Sequence, residues 1–183
     1  KFGTILSLAS SAIIFASWGN AGKQATANSD TMSPNNPFAA ACTLPFQTAD
    51  FDHIKNSDFK PALEAGMKQQ LAEVQKIADN TAAPTFENTF VALEKSGQLL
   101  RRVNGVFGLL TSANTNPDLQ KLQEEVAPKL AATNDAIFLN AKLFKRVEAI
   151  YEHRAELKLD QESNRLVEYY YLKFKLAGAK LTE

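Results

Sequence analysis

Pro84-Thr85-Phe86-Glu87-Asn88-Thr89-Phe90-Val91-Ala92-Leu93-Glu94-Lys95-Ser96-Gly97 is the stretch that decides how this chain folds. Thr85 is placed to accept a hydrogen bond from a backbone N–H of a first helical turn, and Glu87 complements the helix dipole there. Phe86, Phe90, Leu93 and Gly97 then open an apolar stripe that continues through Leu100, Val103, Phe107 and Leu110. The steps alternate between four and three, a heptad-like seam for helix packing. The spacing predicts one helix that begins after Thr85 and runs to about Ser112, about 40 Å long at roughly 1.5 Å per residue. Gly97 on the stripe predicts a close helix crossing, since glycine there lowers helix propensity by about 1 kcal/mol against alanine.

The pattern extends in both directions. Phe59, Leu63, Met67, Leu71, Val74 and Ile77 recur at helical steps and predict a helix from about Ser57 to Asp79, with Pro61 in its first turn. Asn80 to Pro84 is the break. Asn116-Pro117-Asp118 is a strong restart, with an N-cap, a proline at the first helical position and an acid in the first turn. Leu119, Leu122, Val126, Leu130, Ile137 and Phe138 follow, and Pro128 is expected to kink or break that helix by removing an interior hydrogen bond. Asn140 caps the next helix, which carries Leu143, Phe144, Val147 and Ile150. Asp160 caps the last, with Leu166, Tyr170, Phe174 and Ala177 on one face and Gly178 as its stop. No segment alternates with period two over a useful length. The expected fold class is therefore all-α, an array of antiparallel helices in which sequence neighbours are spatial neighbours.

Three segments are expected. Lys1 precedes an apolar run from Ile5 to Trp18, and Ala25-Thr26-Ala27 offers a small-x-small cleavage site, so residues 1–27 read as a signal peptide cleaved after Ala27. That run is shorter than the roughly 20 residues that span a bilayer. It predicts a periplasmic or secreted product with no membrane segment after cleavage. Residues 28–55 form an extended, proline-containing arm, with Pro34, Pro37 and Pro45. Its Phe38, Leu44, Phe46, Phe51 and Ile54 are expected to lie buried across a helical body. Residues 56–183 are the helical region. Lys1 in place of Met, and a final Lys180-Leu181-Thr182-Glu183 in which Thr182 reads as an N-cap, suggest a chain with residues missing at both ends.

Composition narrows the function. Lys and Arg number 20, Asp and Glu number 20, and the formal net charge is zero. Such a chain has no field to hold a polyanion by counterion release, so no nucleic-acid partner is expected. Cys42 is the sole cysteine and cannot form an internal disulfide. It reads as a small, partly buried apolar residue without a base partner. His53 and His153 are the only histidines, and no His-Glu-x-x-His occurs. A zinc-peptidase helix needs that spacing to put both imidazoles on one face beside a general base. His153 reads as a surface residue of an ion-pair-rich helix, and His53, among Asp50 and Asp52, as loop chemistry. Glu124 and Glu125 read as a solvated face. In Tyr169-Tyr170-Tyr171, successive residues point about 100° apart. Tyr170 joins Phe174 on the core stripe, while Tyr169 points to a more polar side near Lys173, as a surface residue or a second interface. No catalytic, metal or substrate-binding residue is assigned on this chain.

Several stretches together resemble a known family. Asn36-Pro37-Phe38, Phe51-Asp52-His53-Ile54, Pro84 through Gly97, Ala113-Asn114-Thr115-Asn116 and Glu124 through Leu130 resemble, in order, the N-terminal region of the thimet-oligopeptidase family of zinc metallopeptidases. The nearest likeness is to bacterial peptidyl-dipeptidases. The resemblance implies a large two-lobed helical enzyme with a deep channel, and a zinc on a His-Glu-x-x-His helix with a further glutamate ligand. It places this region in the lobe that covers the channel and the zinc ligands outside this chain. The implied partners are short peptides, as substrate, and the missing C-terminal catalytic region of the same polypeptide, with a monomer expected. The implied activity of the whole protein is removal of dipeptides from peptide C-termini, and this piece alone is expected to be inactive. An oligopeptidase of the same family that cuts internally, or a free-standing secreted helical binding module, are the alternatives.

Overall fold

The computed structural model describes residues 32–179; the expected signal peptide and the cap at Thr182 lie outside them. The described residues form six α-helices and no strand: α1 (Asn56–Ala78), α2 (Ala92–Lys95), α3 (Gln98–Ala113), α4 (Pro117–Phe138), α5 (Ala141–His153) and α6 (Gln161–Ala177). The fold is all-α, as the periodicity predicts.

The caps are where local chemistry puts them. Asn116, Asn140 and Asp160 accept from Leu119 N, Leu143 N and Ser163 N. Thr85 Oγ1 accepts from Asn88 N, and Asn88 Oδ1 accepts from Thr85 N in return. This is the capping-box exchange with asparagine as the reaching residue. Gly178 ends α6 at φ 95°, where a residue with a Cβ would be strained.

Asp160 makes the cap at α6 pH-sensitive. Hydrogen bonds from Ser163 hold its carboxyl below the ordinary value of 3.8. A group whose folded-state pKa is depressed adds stability above its unfolded value and loses it as pH falls through the folded one. Acid titration followed by circular dichroism should therefore show α6 weakening below about pH 4. An Asp160→Asn variant, which keeps an acceptor without that titration, should lose this part of the acid sensitivity. An unchanged acid profile would count against the assignment.

The core is split in two. One cluster holds the C-terminal half of α1 (Val74, Ile77), Phe90 and Leu93, the end of α4 (Ile137, Phe138), α5 (Phe144, Val147) and α6 (Val167, Phe174). The other holds Phe38, the N-terminal half of α1 (Phe59, Leu63), α3 (Leu99, Val103, Phe107) and the first half of α4 (Leu119, Val126). α1 and α4 run through both clusters and pack on each other. α4 lies mainly on α1 rather than on α3, so sequence neighbours are not always the main spatial neighbours.

The split corrects the expected single helix from Phe86 to about Ser112. After a π-helical turn, Glu87–Val91, and the single turn of α2, the chain stops at Ser96 and restarts from Gly97. Ser96 is extended (ψ 156°), its hydroxyl donates to Leu93 O, and Gly97 is left-handed at φ 67°. Glu73 of α1 reaches across, and its Oε2 accepts from Gly97 N at 2.7 Å. That carboxylate also meets the positive end of α3. A straight helix would serve one core; the break re-aims the chain from the first cluster to the second. The stripe hides it, because Leu93, Gly97 and Leu100 keep the four-three spacing across the turn. The close crossing belongs to Gly66 instead, where an added Cβ would lie 2.9 Å from Leu100 Cα.

Of the two outcomes expected at Pro128, a kink or a break, the break does not occur, and Pro61 lies deeper in its helix than expected. Pro128 neither breaks nor ends α4, which runs on to Phe138. Pro128 and Glu124, whose carbonyl loses its partner, are both exposed, so water can hydrate that group. Pro61 falls at the sixth helical position, beyond the first turn, and α1 continues through it.

The arm is less buried than its rings suggest. Phe38 alone is fully buried, against Phe59 at 5.3 Å between ring centroids, and its carbonyl accepts from Arg102 at 2.7 Å. Ile54 is half-buried, whereas Leu44 and Phe51 are each 43% exposed and Phe46 is wholly exposed. Phe46 and Gln47 both take positive φ, 58° and 56°, in the 3-10 turn Pro45–Gln47. The arm is pinned through Phe38 and its hydrogen bonds, and that turn leaves the Phe46 ring in solvent.

Candidate functional site

A polar concavity of about 270 Å³ lies among α1, the α2–α3 junction, α4 and α6. Its polar lining includes Gln70, Ser96, Arg101, Asn134, Tyr170 and Lys173. Each element has a reason to be there: the Gly97 turn brings Ser96 and Arg101 to the rim, and the Phe174 side of α6 presents Tyr170. The Tyr170 ring packs on Phe90 at 5.8 Å, and its hydroxyl donates to Glu94 Oε1 at 2.7 Å. Burial, then the Glu94 carboxylate, push the Tyr170 hydroxyl well above its ordinary value of 10.0. It stays a protonated donor and cannot serve as a base. Arg101 donates to the Glu94 carbonyl at 2.8 Å, and the Lys173 ammonium stands 4.2 Å from the centre of the Phe138 ring, a cation–π contact. The cleft offers donors and cations. It can hold a polar or anionic group, but it brings together no nucleophile with a base.

The reactive side chains singled out in the sequence lie apart from it. His53 sits exposed in the arm, with Nδ1 2.8 Å from Asp50 Oδ2. The hydrogen bond and then the charge of Asp50 raise its pKa above 6.5. His153 is exposed at the end of α5, 3.7 Å from Glu156. Cys42 is half-buried and lines a largely apolar hollow of about 260 Å³ between the arm and α3. Glu125 pairs with Lys60 at 2.6 Å and with Lys129, which also reaches Glu64. Hydrogen bonds from Lys60 and then Lys129 hold its carboxyl below 4.5, so it staples α4 to α1 as an ion. Among the described residues no group of three or more His, Cys, Asp and Glu could hold a metal ion. No helix among them is long and apolar enough to cross a membrane.

Sequence reasoning missed Arg146. Only 6% exposed, it donates to Asn80 O at 2.6 Å, Ala82 O at 3.0 Å and Asn88 Oδ1 at 2.7 Å. It clamps the connection that leads into the Pro84–Gly97 stretch. Burial pushes its guanidinium below the ordinary 12.5. Its only sequence signal is an arginine beside Val147 on an apolar face, which is ambiguous.

The described residues define an all-α module with a polar cleft. No family model matches the chain. Two curated proteins do. It is 47% identical over 152 residues to a dipeptidyl carboxypeptidase of Escherichia coli (strain K12), covering 83% of this chain. It is 45% identical over 148 residues to one of Salmonella typhimurium, covering 81% of this chain. The chain is thus a homologue of bacterial dipeptidyl carboxypeptidases, as the ordered motifs suggest. It spans 22% of the length of each relative.

Proposed function

We propose that this chain is the N-terminal, non-catalytic portion of an exported zinc metallopeptidase that removes dipeptides from the C-termini of short peptides. One observation carries the reading: identity of 45–47% to two proteins named dipeptidyl carboxypeptidase over most of this chain but about a fifth of theirs. The sequence supports the non-catalytic part, because its only histidines, His53 and His153, cannot form a His-Glu-x-x-His helix. The zinc ligands then belong to the rest of the polypeptide. Residues 1–27 act as the signal peptide, 28–55 as the arm and 56–183 as part of the lobe over the peptide channel, in a periplasmic monomer.

The test uses the intact polypeptide that carries this segment. It should release dipeptides from a short peptide with a free C-terminal carboxylate, and not from the same peptide amidated. A chelator should abolish the activity and zinc restore it. Internal cleavage of the amidated peptide would assign an oligopeptidase instead, and no peptide cleavage under either condition would refute both.

A further inference from the structure

α6 is apolar on two opposite sides. Its inner side, with Val167, Tyr170 and Phe174, packs against the first core cluster. Tyr169, Leu172 and Leu176 are 54%, 53% and 78% exposed. Each stands two residues from one of the inner set, about 200° around the helix. A helix apolar on one side lies at a surface, whereas one apolar on both sides lies between two layers.

The ground beside this second stripe has the anatomy of an interface. A groove of about 330 Å³ runs between α5 and α6, lined by Tyr151, Tyr171, Leu172 and the charged Arg165, Glu168 and Lys175. The two tyrosine rings stack in parallel, 3.8 Å between centroids and 6° apart, with the Arg154 guanidinium 4.0 Å from the Tyr151 ring. Arg165 and Glu168 pair at 3.5 Å. Rigid aromatics and leucines ringed by charges are what a docking surface presents, with the large side chains supplying area at low cost in conformational entropy.

We propose that this outer face of α6 is covered by a helix from the part of the parent polypeptide outside this chain. Two observations choose that occupant. The homologues are more than four times as long as the matched segment, which covers 22% of each, so ample chain exists to supply another layer. The stripe itself is small: three side chains expose a few hundred Å², short of the roughly 800 Å² per partner that holds a separate copy. A tethered element avoids most of the entropy cost of bimolecular association, so a face this size suffices. The inference rests on the proposed function only in taking this chain as a segment of a longer polypeptide.

The intact polypeptide, with Cys42→Ser and any other thiols replaced, carries Leu176→Cys and is labelled with a maleimide. The thiol should react at least about tenfold more slowly in the native monomer than after urea unfolding. Native labelling at the unfolded rate overturns the proposal. So does protection that disappears on dilution together with a dimer in sedimentation, since a second copy then covers the face. If the cysteine variant does not fold, Leu176→Ala serves: a lowered thermal midpoint in the intact monomer supports the proposal, and an unchanged one overturns it. Dipeptide release by the unsubstituted polypeptide is scored separately. Protection without peptidase activity would sink the functional reading and leave this one standing.

Discussion

Arg146→Ala is expected to destabilise the protein by about 3 kcal/mol in equilibrium urea unfolding, near the top of the ordinary range for one substitution. The guanidinium donates through one nitrogen to Asn80 O and Ala82 O and through the other to Asn88 Oδ1, and it is almost fully buried. Hydrogen bonds to a charged donor each contribute about 1.5–3 kcal/mol, and removing the donor leaves acceptors unpaired. Asn80 and Ala82 are exposed, so water can recover part of that loss, which keeps the figure below the full sum. Lysine should not rescue the variant, because a single ammonium cannot reproduce two nitrogens aimed at separate acceptors. The consequence is local order as well as stability. The Asn80–Pro84 connection should lose protection in hydrogen exchange, and with it the cap formed by Thr85 and Asn88. A loss below about 1 kcal/mol would mean that the clamp contributes little.

The second large effect is a contrast of sign between two glycine-to-alanine changes. At Gly66 the added methyl would meet Leu100 Cα at 2.9 Å and Leu100 N at 3.0 Å, both backbone atoms that cannot rotate away. α1 and α3 would have to separate, and overpacking of this kind costs about 1–3 kcal/mol. Alanine returns about 1 kcal/mol of helix propensity, so a net loss of up to about 2 kcal/mol is expected, and more for Gly66→Val. At Gly105, inside α3, nothing lies within 4 Å of the added atom. There the propensity term stands alone, and Gly105→Ala should stabilise by up to about 1 kcal/mol. Equal signs at the two positions in paired thermal melts would refute the crossing at Gly66.

These positions also show what could and could not be read in advance. The stripe of α5 was legible in full: Leu143, Phe144, Val147 and Ile150 are all buried. So was the outward turn of Tyr169 toward Lys173, whose ammonium stands 5.6 Å from its ring. Gly97 was legible as unusual, and its role was not. A helix-crossing glycine and a left-handed turn glycine look alike in a stripe whose spacing survives the turn. What decides between them is Glu73, 24 residues earlier, whose carboxylate accepts the Gly97 N–H. The arm misled for the opposite reason. Its aromatic content argued for burial, but only Phe38 finds a slot between α1 and α3.

The polar cleft was not legible at all, because its walls come from five helices and no local pattern links Gln70 to Asn134 or Lys173.

The sequence by itself determined the all-α class, the caps at Asn116, Asn140 and Asp160 and the core faces of most helices. Those depend on interactions that close within three or four residues, so a short window carries their cause. Tertiary structure decided where the predicted long helix breaks, which glycine lets α1 and α3 touch, and that Arg146 is a buried clamp. Each depends on a partner distant in the chain. Arg146 meets acceptors 58 to 66 residues before it, and Gly66 meets Leu100 across a helix crossing. Such contacts exist only once separate helices have been brought together, so no reading along the chain contains them.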